Sequence, residues 1–264
     1  MKKYLILIIT LISFIGCGYS SSTQGGTVGV KRKQFMTLSA SSMQKGAVQA
    51  YSQILAKAKK DGKLNRDKKT LKRIRKIASK LIPQAGVFRK DALKWKWEVN
   101  LISSKQLNAW CMPGGKIAFY TGIIEKLKLT DSEIAAIMGH EISHALREHG
   151  RERASQQSIT NTGLVLVGAY FGLGKSGMNL AQQVASVTLT LPNSRKHETE
   201  ADRMGVELAA RAGYNPYAAV NVWQKMSKLS NGAPPEILST HPSNATRIKD
   251  LKKYAKKVAY LYKK

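Results

Sequence analysis

Two histidines four residues apart, with a glutamate directly after the first, constrain this chain more than anything else in it: His140-Glu141-Ile142-Ser143-His144. A helix turns about 100° per residue, so the two imidazoles lie about 40° apart on one face and both can reach a single metal ion. Glu141 sits about 100° further round, where its carboxylate can take a proton from an attacking water without ligating the metal. The surrounding residues support a helix. Thr130-Asp131-Ser132-Glu133 forms a capping box at its start, and Ile134, Ile137, Met138, Ile142 and Leu146 supply an apolar side.

One zinc ion per chain is expected, which requires a third protein ligand. His149 is five residues past His144, and a straight helix carries it about 140° round. No glycine interrupts Ala145 to His149 to break the helix, so His149 is not expected to ligate. A second helix, capped by Asn193 or Ser194, carries Glu198, Ala201, Asp202 and Gly205 on one face. Glu198 is the expected third ligand. Asp202, one turn on, can accept the second N–H of a ligating histidine, and the two small residues allow the helices to pack closely. Glu200 and Glu207 fall on another face, which is expected to be solvated.

The region before the metal motif reads as a small sheet. Trp95 to Leu101 alternates apolar and polar residues, and Leu107 to Met112 meets Pro113-Gly114-Gly115 before the alternation resumes. The resumed run, Lys116-Ile117-Ala118-Phe119-Tyr120, is expected to bind an extended peptide by strand addition. Further upstream, Ser39 to Lys60 and Asp67 to Leu81 have helical apolar spacing, with lysines and arginines opposite.

The N-terminus has a different character. Lys2-Lys3 and the apolar run Leu5 to Ile15 read as a secretory signal, too short to span a bilayer. Cys17 follows Phe14-Ile15-Gly16, which resembles a bacterial lipobox, although leucine is usual where Phe14 stands. Lipidation of Cys17 is therefore expected, leaving Cys111 without a disulfide partner. The segments are expected to be a signal peptide at 1–16, a lipid-anchored flexible linker at 17–35 and a catalytic domain at 36–264. That domain divides into basic helices at 36–82 and a core at 93–264. The net charge of +28 is concentrated: residues 31–96 hold twenty Lys/Arg against three Asp. Such basic faces suit an anionic membrane surface, and export makes nucleic acid an unexpected partner.

Read together, Asn108-Ala109, Pro113-Gly114-Gly115, Tyr120-Thr121-Gly122, the His140–His144 pentad and Ser194-Arg195 before Glu198-x-x-Ala201-Asp202 resemble the gluzincin metallopeptidases of the CAAX-prenyl-protease and HtpX type, in their soluble lipoprotein branch. The resemblance covers about 95–247. It implies an α+β, predominantly helical, zincin-like domain with a small antiparallel sheet beside the metal-binding helix. It also implies zinc held by His140, His144 and Glu198, with Glu141 as proton acceptor.

The expected substrates are misfolded or misassembled envelope proteins. The expected location is the periplasmic face of a membrane, the outer one where there are two. His241 in Thr240-His241-Pro242 matches a histidine of the family, which could donate to the oxyanion or occupy zinc's open position at rest. Arg247 matches an arginine near the family's active site. Leu164 to Leu173, apolar but too short to span, is expected to be a helix or flap over the cleft. Two other functions remain open: an assembly factor that holds clients with little proteolysis, and a polyanion-binding lipoprotein. The sequence leaves the oligomeric state unknown.

Overall fold

A computed structural model describes residues 19–158, 180–229, 236–241 and 245–262. The signal region with Cys17, the expected flap at Leu164 to Leu173 and Pro242 lie outside the described residues. Helix α1, Ala40–Lys60, starts at an Ser39 cap, and α2, Lys68–Leu81, starts where Asp67 accepts from the Thr70 amide. Leu71, Ile74, Ile77, Ala78 and Leu81 of α2 are buried, and its lysines face outward.

The sheet contains β1, Glu98–Ile102, β2, Ala109–Met112, and β3, Lys116–Tyr120. β2 and β3 form an antiparallel hairpin through Gly114 and Gly115, both at positive φ, a region glycine enters at little cost. β1 then joins β3 in parallel, so the order is β1-β3-β2. This corrects the expected substrate strand. Lys116 to Tyr120 is the central strand, with both edges already paired, and has no ladder groups to offer a peptide. The far edge of β1 is bridged at Ile102 by Leu64. The far edge of β2 has no strand partner among the described residues, and β2 packs against the metal-motif helix.

That helix, α3, spans Asp131–Leu146, and its capping box forms as the sequence predicts. A break follows, although no glycine provides it: Glu148 takes φ +51°, and a second helix, α4, runs over 149–158. Ion pairs from Glu148 to Arg89 and Arg151 hold this uncommon conformation. Helix α5, Arg195–Arg211, crosses α3 with Gly139 and Gly205 at the contact. A Cβ on Gly205 would lie 2.8 Å from the His140 backbone nitrogen, so the two backbones touch with no side chain between them. Helix α6, Ala218–Leu229, packs against α3, and α7, Ala245–Val258, packs against both α5 and α6. No helix among the described residues is long and apolar enough to cross a membrane.

The stretch expected to be a flexible linker is instead a strap seated on the helices. Val28, Val30 and Gln34 are buried, and the Thr27 and Val28 amides donate to the two carboxylate oxygens of Glu207. Arg32 pairs with Glu152 and Glu200. Glu200 and Glu207 are therefore buried receptors for the N-terminal segment. The expectation of a solvated face was wrong for both, because the strap covers it.

Candidate metal centre

The α3–α5 crossing brings the expected ligands together. His140 Nε2 lies 3.0 Å from His144 Nε2 and 3.4 Å from Glu198 Oε2. Glu198 Oε1 lies 3.3 Å from His144 Nε2. His241 joins them: its Nδ1 is 3.2 Å from His140 Nε2 and 3.0 Å from Glu198 Oε1. One ligand atom from each of these four residues lies within 4.8 Å of every other.

This donor set fits zinc. Tetrahedral nitrogen and oxygen ligands at about 2.0–2.2 Å from the ion stand about 3.3–3.6 Å from one another. The separations of 3.0–3.4 Å are close to those edges. Convergence of three imidazoles and a carboxylate on one point also suits zinc's preference for nitrogen and hard oxygen donors.

Asp202 and Arg247 both lie against the cluster. Asp202 Oδ1 lies 2.9 Å from His140 Nδ1, which keeps the Nε2 lone pair directed into the cluster. Arg247 donates from Nε and Nη2 to the two oxygens of Asp202, both at 2.7 Å. Its Nη1 is 2.8 Å from Glu198 Oε2, and its guanidinium stacks 3.9 Å over the Trp223 ring.

Burial and the neighbouring charges shift the titratable groups of the cluster in different directions. Burial raises the Glu141 carboxyl above the ordinary range, and the nearby histidines only partly counter it, so Glu141 is inclined to accept a proton. Burial pushes Glu198 in the same direction, but His241 and His140 outweigh it and hold the carboxylate well below its usual range. Asp202 is likewise depressed, because Arg247 and His140 outweigh burial. Burial lowers His140, yet Glu198 and Asp202 reverse this and push it up to about 10. His144 is dominated by burial and goes far below the ordinary value.

Two hollows flank the centre. An apolar one is lined by Ile137, Val206, Val222, Trp223 and Met226 and opens on His140, Glu141 and His241. A polar one lies between Cys111 and Pro113, at the end of β2, and Glu141, His144, Arg153 and Asn193. β2, not β3, is therefore the strand bordering the centre.

His149 stays out of the donor set, as expected, but for another reason. The break at Glu148 turns it back so that its ring meets His144 from behind, with the two Nδ1 atoms 2.8 Å apart. Sequence reasoning missed this contact, and it missed Glu200, Arg147 and Arg32 around it. The available signal was chemical: four of the chain's five histidines, at 140, 144, 149 and 197, lie in the two stretches that also carry Glu141, Glu198, Glu200 and Asp202.

Residues 68–255 match the model of peptidase family M48. The mitochondrial metalloendopeptidase OMA1 of Arabidopsis thaliana is 39% identical over 153 residues, which cover 58% of this chain and 30% of that protein. Its namesake in Saccharomyces cerevisiae is 32% identical over 176 residues, covering 63% of this chain and 49% of that protein. A β-barrel assembly-enhancing protease of Escherichia coli O157:H7 is 29% identical over 175 residues, covering 62% and 36%. The chain thus spans between 30% and 49% of the length of these relatives.

Proposed function

Because the chain belongs to peptidase family M48, we propose that it is a zinc-dependent metalloendopeptidase that hydrolyses internal bonds of misfolded or misassembled envelope proteins. The observation that carries this reading is the convergence of His140, His144 and Glu198 on one point, with Glu141 between the two histidines in the chain.

His140, His144 and Glu198 would hold zinc, and His241 completes the donor set at rest. When bound, zinc supplies a Lewis acid that polarises the scissile carbonyl and acidifies water. Glu141 takes the proton from the attacking water as the new C–O bond forms, and delivers it to the amide nitrogen as the C–N bond breaks. His241 Nε2, 3.6 Å from Glu141 Oε1, stands next to that proton acceptor and can donate to the oxyanion once it leaves the donor set. Asp202 holds His140 in register, and Arg247 compensates the buried charge of Asp202 and Glu198. The apolar hollow beside Glu141 is a place for a substrate side chain, and the edge of β2 that has no strand partner among the described residues is a place for its backbone.

The envelope location rests on the N-terminal sequence: Lys2-Lys3, the apolar run and Cys17 as the lipidation site of the soluble lipoprotein branch. One relative bears the name of a β-barrel assembly-enhancing protease, which agrees with an outer membrane, whereas the OMA1 relatives are named as mitochondrial. Exposed lysines on α2 and α7 would add attraction to an anionic membrane surface.

Glu141→Gln tests the proposal. The variant should retain zinc while losing cleavage of casein, and casein cleavage equal to the parent's would refute the mechanism. A second reading, a holding factor for envelope proteins, draws on the β2 edge that lacks a strand partner among the described residues. It gains if Glu141→Gln restores an envelope defect as fully as the parent does.

A further inference from the structure

The two metal-site histidines of α3 are backed differently. His140 leans directly on a carboxylate, Asp202, whereas His144 leans on another imidazole. Two imidazole nitrogens 2.8 Å apart make a hydrogen bond only when one carries the proton and the other offers a lone pair. The direction follows from the zinc reading above, on which this inference rests. A His144 that gives its Nε2 lone pair to a metal carries its proton on Nδ1. His149 Nδ1 must then accept, which leaves the His149 proton on Nε2. That atom lies 3.0 Å from Glu200 Oε2.

The far end of this chain of bonds is fixed. Glu200 Oε2 accepts from Arg147 Nε and Nη2, both at 3.1 Å, and Oε1 accepts from Arg32 Nε at 2.7 Å. His149 is fully buried and stacked on His197, with ring centroids 4.3 Å apart and planes 19° apart. His197 is in turn held by Glu152, 3.1 Å from its Nε2. The ring of His149 therefore has its plane set by stacking and both its nitrogens set by partners. The backbone break at Glu148 makes this possible, since a continuous helix would carry His149 away from His144.

We propose that His149 and Glu200 are positioning residues for the metal centre, forming a relay from the Glu200 carboxylate through the His149 imidazole to His144. The relay fixes the His144 tautomer and ring orientation and raises the basicity of its ligating nitrogen. One turn of α5 then serves both metal-site histidines of α3. Asp202 acts on His140 directly, and Glu200, on the strap side, acts on His144 through one intervening ring.

The test compares His149→Asn with His149→Gln in the full chain. The Asn carbonyl can stand near the position of Nδ1 and accept from His144, whereas the Gln carbonyl reaches toward the position of Nε2 and leaves the His144 N–H without an acceptor. The dissociation constant for zinc is measured by chelator competition, and thermal unfolding after chelation reads the fold separately. His149→Gln should bind zinc about 10- to 100-fold more weakly, as loss of such outer partners does elsewhere, while His149→Asn keeps most of the parent's affinity. Equal affinity in the two variants, whether parental or weakened, overturns the relay.

A measurement on the parent alone covers the case of a variant that fails to fold. In the zinc-loaded protein, imidazole nitrogen spectra should place a proton on His144 Nδ1 and on His149 Nε2, and a proton on His149 Nδ1 overturns the proposal. If the parent binds no zinc, or His144→Ala binds it undiminished, the metal reading fails first and the relay falls with it.

Discussion

Substituting Gly205 by alanine tests whether the metal centre depends on two helix backbones being in contact. The added Cβ would lie 2.8 Å from the His140 nitrogen, 3.0 Å from its Cα and 3.1 Å from the Gly139 carbonyl carbon. All three are backbone atoms, so no side chain can swing aside. Ordinary contact begins near 3.4 Å, so α3 and α5 must part by about 0.6 Å. Ligand distances in a zinc site tolerate about 0.2 Å. The same shift separates His140 and His144, on one helix, from Glu198 on the other.

Overpacking of this kind costs about 1–3 kcal/mol, and alanine returns about 1 kcal/mol of helix propensity. The fold should therefore lose roughly 0–2 kcal/mol, or up to about 8 °C in Tm for a domain of this size. Zinc affinity should fall by on the order of tenfold or more. Chelator competition and thermal unfolding measure the two effects. Gly86→Ala is the control, because the added methyl there meets only the movable, exposed Leu93 side chain. Parental zinc affinity in Gly205→Ala refutes the reasoning.

Arg247→Met removes the cation paired with two buried carboxylates, and an uncompensated buried charge costs about 3–5 kcal/mol; urea unfolding should show a loss of that size. Glu152 is held below the ordinary carboxylate range because Arg32, His197 and Gln34 outweigh the effect of burial. Its contribution is present above the unfolded value of 4.5 and is lost as pH falls below it. The Tm gap between parent and Glu152→Gln should therefore narrow as the medium is acidified, and a gap independent of pH contradicts the pairing. Glu207→Gln weakens the acceptor of the Thr27 and Val28 amides, and limited proteolysis should then cut near Gly25 to Val30 sooner than in the parent. Zinc at about a thousand times its dissociation constant should stabilise the chain by about 4 kcal/mol, so chelation should lower Tm by roughly 8–16 °C.

The sequence carried the centre well where the information is local. The spacing of His140 and His144, the cap at Thr130 and the shared face of Glu198, Asp202 and Gly205 all follow from helical periodicity, which a single segment contains. It failed where the answer depends on what docks against a face. The helical wheel places Glu200 and Glu207 away from Glu198 correctly, but solvent and a strap look alike from inside the helix. Strand-like runs and the Pro113-Gly114-Gly115 turn locate all three strands, yet they carry no record of strand order, so nothing in them marks Lys116 to Tyr120 as the central strand. The break at Glu148 also left no glycine to announce it, since ion pairs with Arg89 and Arg151 sustain it instead.

The strap has a consequence for how the chain acquires its structure. Arg32 finds Glu152 and Glu200 at separations of 120 and 168 residues, and the Val28 amide finds Glu207 at 179. Contacts this distant in sequence close the largest loops and form late. The strap precedes in the chain every helix it docks on, so it can be seated only after α5 has been made and docked. Until then Glu200 lacks its Arg32 partner, and the backing of the metal centre is incomplete. Maturation of the site thus waits for nearly the whole chain, so an amino-terminal fragment ending before α5 has neither Glu198 nor a seat for its own strap.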